Sequence, residues 1–151
     1  MNQLPDLVIR RAELSDAASL AGLMTQLGYE TRTAEMEMRL ESILNNPGFE
    51  TLVAVSSGKV CGMIGCFLQQ SYEHNDVGAR ILALVVSEKM RRSGVGQQLV
   101  QAAENNWMSR NVTRITVNAR FERKEAHEFY EKLGYTRNGF RFVKHLPPVA
   151  D

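Results

Sequence analysis

The stretch Lys89-Met90-Arg91-Arg92-Ser93-Gly94-Val95-Gly96-Gln97 places two glycines between segments of different hydrophobic period. Before it, Ile81-Leu82-Ala83-Leu84-Val85-Val86 is an unbroken apolar run of strand length, which predicts a strand buried on both faces at the centre of a sheet. After it, Val95, Leu99, Ala103 and Trp107 recur at helical spacing and predict an amphipathic helix over Gly94–Ser109, packed on that sheet. In physical terms the junction is an anion cradle. The first turn of a helix leaves backbone N–H groups free, its dipole end is positive, and glycine lets a ligand approach the backbone. Arg91 and Arg92 add charge at the rim. Three or four charge-assisted hydrogen bonds, each worth about 1.5–3 kcal/mol net, suffice to hold a pyrophosphate without a metal.

Glycines beside a helix also serve merely to shape a turn, and two other phosphate-binding patterns fail here. A dinucleotide fingerprint wants a third small residue in the helix and an acid ending the next strand, where this chain has Leu99 and Asn118. A nucleotide-triphosphate loop ends in Gly-Lys-Ser/Thr, whereas Gly96 is followed by Gln97 and Gln98.

Outward from the cradle, Leu7–Arg11 reads as a short strand, and Ser15-Asp16 offers an N-cap to a helix carrying Leu20, Leu23, Met24 and Leu27 up to Gly28. A second amphipathic helix starts near Thr33 and stops at Asn45-Asn46-Pro47-Gly48. Strands Leu52–Ser56 and Val60–Leu68 flank the hairpin turn Ser56-Ser57-Gly58-Lys59, and Gln69–Gly78 reads as a loop. Beyond the cradle helix come a strand over Arg114–Asn118 and a helix marked by Ala126, Phe129, Tyr130 and Leu133 that ends at Gly134. Tyr135–Leu146 supplies two closing strands around Asn138-Gly139. The order is that of one α/β domain spanning 1–151, a mixed, mostly antiparallel sheet of about seven strands with four helices on its two faces.

Composition narrows the function. Eighteen basic against 17 acidic side chains in 151 residues give a formal net charge of +1, so the field that drives non-specific nucleic-acid binding is missing. No apolar run is long enough to span a bilayer, and Met1–Asp6 lacks the regions of a signal peptide. The two cysteines, Cys61 and Cys66, have an odd spacing along one strand that points them to opposite faces, and two free thiols fit a reducing compartment. A soluble, cytoplasmic protein is the expectation. Glu73-His74-Asn75-Asp76 reads as a solvated loop, and no metal is assigned.

Arg91-Arg92-Ser93-Gly94-Val95-Gly96 resembles the Arg/Gln-x-x-Gly-x-Gly/Ala signature of GNAT acetyltransferases, and Glu125-Ala126-His127-Glu128-Phe129-Tyr130-Glu131-Lys132-Leu133-Gly134-Tyr135 is similar to that family's late helix. The resemblance extends over nearly the whole chain. It implies a GNAT fold whose fourth and fifth strands splay apart, with acetyl-CoA as cosubstrate and its pantetheine arm on the backbone of Leu84, Val85 and Val86. It implies that Arg91, Arg92, Ser93, Gly94, Val95, Gly96 and Gln97 hold the pyrophosphate, while Asn118, Phe129, Tyr130 and Lys132 border the thiol end and the nucleotide. Tyr130 is then the acid for the departing thiolate, since an ordinary phenol with a pKa of about 10 can donate to it. Ala126, Phe129 and Leu133 equally suit plain core packing, and His127 either borders the acceptor or is structural. Two copies pair through the last strands in many members, so a homodimer is a further expectation.

The resemblance implies transfer of acetyl to a primary amine. Many members carry a glutamate on the fourth strand as base, but between Ala79 and Val86 the sole ionisable side chain is Arg80. The base must come from Glu73, His74 or Asp76, or the proton must pass to solvent. Gly62-Met63-Ile64-Gly65, Ala126-His127 with Phe129-Tyr130, and Phe140-Arg141-Phe142 look most like aminoalkylphosphonate N-acetyltransferases, although the fourth-strand carboxylates of those enzymes are lacking here. That implies a small-molecule amine bearing an anion, with Arg80 facing the anion. An internal acid, Glu73 or Asp76, is the competing and slightly favoured partner for Arg80. A peptide or protein acceptor, and a non-catalytic acetyl-CoA-binding module, are the alternatives.

Overall fold

The computed structural model describes residues 6–118 and 124–149. The chain divides into two compact units, Met1–Val117 and Asn118–Asp151. The first holds β1 (Val8–Arg11), α1 (Ala17–Leu27), α2 (Thr33–Leu44), β2 (Phe49–Ser56), β3 (Lys59–Gln70), β4 (Val77–Val86), α3 (Val95–Met108) and β5 (Val112–Val117). The strands form one sheet in the order β1-β2-β3-β4-β5, antiparallel except for the parallel pair β4 and β5.

Alternation along the strands decides which helix covers which face. Val53 pairs with Met63 and Met63 with Val85, and this row is buried against Leu20, Leu23, Met36 and Leu40 of α1 and α2. The neighbouring row faces α3. A Cβ on Gly62 would meet Leu99 and Val95 of that helix at 3.2 Å, so the bare backbone at 62 is what lets α3 sit down on β3. Val95, Leu99, Ala103 and Trp107 are all buried, as their spacing predicts. The β2–β3 turn has positive φ at both Ser57 (51°) and Gly58 (74°), the primed turn whose twist matches paired strands.

Several expectations need correction. Asp16 does not cap α1 with its side chain. Its carboxylate turns back, accepting hydrogen bonds from Arg10 at 2.8 and 2.9 Å and from the Glu13 N–H at 2.8 Å. The loop between β3 and β4 is shorter than Gln69–Gly78, because ladder pairing continues to Gln70 and resumes at Val77. Among the described residues β4 is fourth of five strands rather than central, and its apolar run is not buried throughout: Ile81 and Val85 are buried, while Leu82 is 50% exposed. Leu82 is the extra residue of a bulge, since Cys66 pairs with Ile81 and the adjacent Gly65 with Ala83.

The second unit holds α4 (Lys124–Lys132), which closes with Gly134 N–H on Glu131 O at 3.1 Å and Tyr135 N–H on Tyr130 O at 3.0 Å. Among the described residues the chain has five strands, not about seven, and none lies in Tyr135–Leu146. The hairpin turn expected at Asn138-Gly139 needs positive φ, which neither residue adopts. Phe140 and Phe142 are each 92% exposed, so the period-two pattern there has no buried face to satisfy. Among the described residues no helix is long and apolar enough to cross a membrane.

Candidate functional site

The cradle forms at the start of α3. Gly94 is the N-cap with φ 89°, a left-handed backbone that favours glycine, and it brings no capping side chain. Arg92 also has positive φ, 65°. Left-handed backbone at Arg92 and Gly94 flanks Ser93 at the entry to α3, and turns of this kind can form anion-binding nests. The Ser93 hydroxyl donates to Met90 O and fixes the turn. The first N–H groups of α3, on Val95, Gly96 and Gln97, have no carbonyl a turn earlier within the helix. Arg91 and Arg92 are exposed at the rim. These residues fit a pyrophosphate by donor chemistry.

The cradle is tied to the end of β4. Arg91 Nε donates to Val86 O at 3.3 Å, the Ser87 N–H donates to Cys61 O at 2.7 Å, and the Glu88 N–H reaches Gln26 Oε1 of α1 at 3.0 Å. Leu84, Val85 and Val86 pair with Ile64, Met63 and Gly62 of β3. On the other side, β4–β5 pairing ends at Ile81 and Val117, next to the unpaired Leu82 of the bulge, so among the described residues Ala83–Val86 have ladder partners on β3 alone. A strand edge with free peptide groups thus runs up to the cradle.

Arg80 lies elsewhere on β4, three ladder steps from Leu84 by the β3 register, about 10 Å at 3.3 Å per residue. It is exposed and lines a groove of about 220 Å³ with Phe67, Gln69, Tyr72, Glu73 and Arg114. Ladder register explains the grouping: Arg80 pairs with Phe67 and Thr116, and Gly78 pairs with Gln69 and Arg114, so these side chains share a face. A Cβ on Gly78 would sit 3.3 Å from Arg114 Nη2, which shows the Arg114 guanidinium lying over the bare backbone at 78.

Neither internal acid forms an ion pair with Arg80 among the described residues. Asp76 pairs with Arg114 at 3.4 Å and accepts the Thr113 hydroxyl, and the Thr113 hydrogen bond, with Arg114 nearby, holds its carboxyl below the usual range. Glu73 makes no ion pair with Arg80 either. Among the described residues Arg80 has no ion-pair partner.

The remaining expected residues belong to the second unit. Asn118 is exposed and follows directly on β5. On α4, Phe129 and Tyr130 are half-buried and meet edge to face at 5.2 Å, and Tyr130 meets Tyr135 at 5.6 Å. His127 is half-buried, and Lys132 is exposed in the last turn.

A model of the acetyltransferase (GNAT) family matches residues 18–135. The chain belongs to the GNAT acetyltransferase family. An aminoalkylphosphonate N-acetyltransferase of Salmonella typhimurium is 28% identical over 144 residues, covering 95% of this chain and 94% of that one. The crystal structure of a GNAT family acetyltransferase from Staphylococcus aureus has a TM-score of 0.81 at 28% identity, over 93% of this chain and 99% of the other. A transcriptional regulator from Bacillus halodurans has a TM-score of 0.86 at 20% identity over the same shares, a likeness of fold alone.

In this GNAT chain, sequence reasoning missed Arg114 and the space Gly78 leaves for it. The signal was present in the alternation of Arg114 and Thr116 with Ile115 and Val117, which separates an outward from an inward face of β5. What spacing alone does not supply is the parallel register that sets Arg114 beside Gly78.

Proposed function

We propose that this GNAT chain, acting over 1–151 as a single N-acetyltransferase domain, moves acetyl from acetyl-CoA to the primary amine of a small acceptor that carries an anionic group. The observation that carries the reading is Arg80, a guanidinium lining a groove without an acid partner among the described residues. A cation left unpaired beside a concave surface is suited to an external anion, and an arginine fork matches phosphonate, phosphate or carboxylate oxygens. The aminoalkylphosphonate N-acetyltransferase relative supports the same acceptor chemistry.

Bound acetyl-CoA supplies an acetyl group already activated as a thioester. For the chain's part, the N–H groups of Val95, Gly96 and Gln97, with Arg91, Arg92 and Ser93 around Gly94, hold the pyrophosphate. The free edge of Leu84, Val85 and Val86 takes the pantetheine amides, and an N–H there polarises the thioester carbonyl. The acceptor's ammonium gives its proton to solvent before the free amine attacks, and the proton left on nitrogen after attack also passes to solvent. Tyr130 donates its phenol proton to the leaving thiolate, while Asn118, Phe129 and Lys132 flank the cofactor and His127 the acceptor. Arg80 holds the acceptor's anion. The free thiols Cys61 and Cys66 suit a cytoplasmic setting.

A thiol-release assay with acetyl-CoA and a panel of aminoalkylphosphonates, amino acids, neutral amines and peptides tests this. Release with small anionic amines supports the proposal. Release with peptides alone establishes a protein acceptor, and tight acetyl-CoA binding without release on any amine makes the chain a binding module.

A further inference from the structure

The groove beside Arg80 holds a second unmatched charge. Glu73 lines the same groove, on the loop between β3 and β4, and its carboxylate has no ion-pair partner among the described residues. The remaining charged residue that lines it, Arg114, pairs with Asp76 at 3.4 Å. The loop that presents Glu73 is held at several points. Ser71 Oγ accepts the N–H groups of Glu73 at 3.1 Å and His74 at 3.0 Å, and the Ser71 N–H donates to Asp76 O at 3.1 Å. Asp76 in turn bonds Thr113 and Arg114 on β5. The backbone on both sides of Glu73 is thereby fixed to the sheet that carries Arg80.

One cation and one anion thus line a small groove without closing on each other. Each keeps its hydrogen-bonding capacity for a ligand, and together they match a molecule with a negative and a positive end. A plain anion would satisfy Arg80 and be repelled by Glu73. A plain amine would meet the reverse.

We propose that Glu73 is a specificity-determining residue that receives the acceptor's ammonium group opposite Arg80, so that the groove selects zwitterions over simple amines or simple anions. This rests on the acceptor reading above, and binding measurements without acetyl-CoA separate the two.

The test is a titration of wild type, Glu73→Gln and Arg80→Gln with aminomethylphosphonate, methylphosphonate and ethylamine, followed by amide chemical shifts. Wild type is expected to bind aminomethylphosphonate at least about tenfold more tightly than methylphosphonate. Glu73→Gln should erase that preference, with methylphosphonate affinity unchanged or higher once the repulsion is gone, and Arg80→Gln should weaken both phosphonates. The inference is overturned if wild type shows no preference for the zwitterion, if Glu73→Gln retains it, or if Glu73→Gln weakens both phosphonates alike. An enzyme that shows the binding pattern yet releases no thiol with any amine defeats the acetyl-transfer proposal and leaves the role of Glu73 standing. Acetyl transfer indifferent to Glu73 does the opposite.

Discussion

Arg114 pairs with Asp76 at 3.4 Å across the edge of the β3–β4 loop, and Asp76 forms no ion pair with Arg80. Two guanidiniums share one face of the sheet, yet one of them alone is neutralised. The fold thereby sorts a structural cation, Arg114, from one available to a ligand, Arg80.

Arg80→Ala should raise the Michaelis constant for anionic amines by about tenfold or more, the loss of a charged hydrogen bond worth about 1.5–3 kcal/mol, and should spare neutral amines. Steady-state kinetics on both classes decides it. Equal losses across classes would end the anionic-acceptor reading.

At the cradle, Gly96→Val sets a branched side chain beside the first free N–H groups of α3. Acetyl-CoA affinity should fall by about 2 kcal/mol, roughly thirtyfold. Calorimetric titration checks this, with circular dichroism to establish that the variant folds. Unchanged affinity in a folded variant removes the cradle as the pyrophosphate site.

For the leaving group, Tyr130→Phe keeps the ring that meets Phe129 and Tyr135 edge to face and removes only the hydroxyl. Acetyl-CoA should bind nearly as before, while turnover falls by about 10²-fold, the lower end of general-acid effects. Weakened binding with intact turnover would make Tyr130 a packing residue.

Acid stability should report on Asp16. Its buried carboxylate accepts two hydrogen bonds from Arg10 and one from the Glu13 N–H, and the Arg10 guanidinium chiefly holds its pKa below the ordinary value. A group with a lowered folded pKa binds fewer protons folded than unfolded. Its stabilisation is therefore complete above the unfolded value of about 3.9 and is lost as pH falls through the folded value. Asp16→Asn should cost about 1–2 kcal/mol at neutral pH, allowing for solvent around the partly exposed Arg10, and much less at pH 2. Urea midpoints for both proteins at the two pH values show whether the gap closes.

The thiols offer a further check. Burial, with the charge of Glu50 added, pushes the Cys66 thiol up to about 12, so little thiolate forms at neutral pH. Iodoacetamide should leave Cys66 unmodified in the native protein and alkylate it in urea, as read by mass spectrometry. Rapid native modification would mean the strand around Cys66 opens readily.

The parts of the fold legible in sequence are those set by local chemistry. The stripe Val95, Leu99, Ala103 and Trp107 fixes α3 and its buried face, because a helix repeats within a few residues. Ser57-Gly58 fixes its hairpin because the turn demands positive φ. The misreadings fall where partners are remote. The apolar run of β4 suggests a central strand, but whether a strand lies inside or near an edge depends on the neighbours it finds, and the Leu82 bulge is invisible to alternation. Asp16 has the residue type of an N-cap, yet Arg10, six residues earlier, outcompetes the helix for its carboxylate. At the site, the cradle was readable from Gly94 and Gly96, while the allotment of acids in the groove was not. It follows from the β4–β5 register, which brings Arg114 within reach of Asp76.

The bulge at Leu82 divides β4 into halves with different hydrogen-exchange behaviour. From Val77 to Ile81 the strand is laddered on both sides, Leu82 is unpaired, and among the described residues Ala83–Val86 are laddered on one. Amides of the second half that point away from β3 lack a ladder bond, so their deuterium uptake is governed by solvent access more than by opening of the sheet. A ligand that lies along this edge adds the missing acceptor. Slowed exchange at alternate residues among Leu82–Val86, with Val77–Ile81 unchanged, would therefore act as a built-in meter of cofactor occupancy, read without any chemistry being performed.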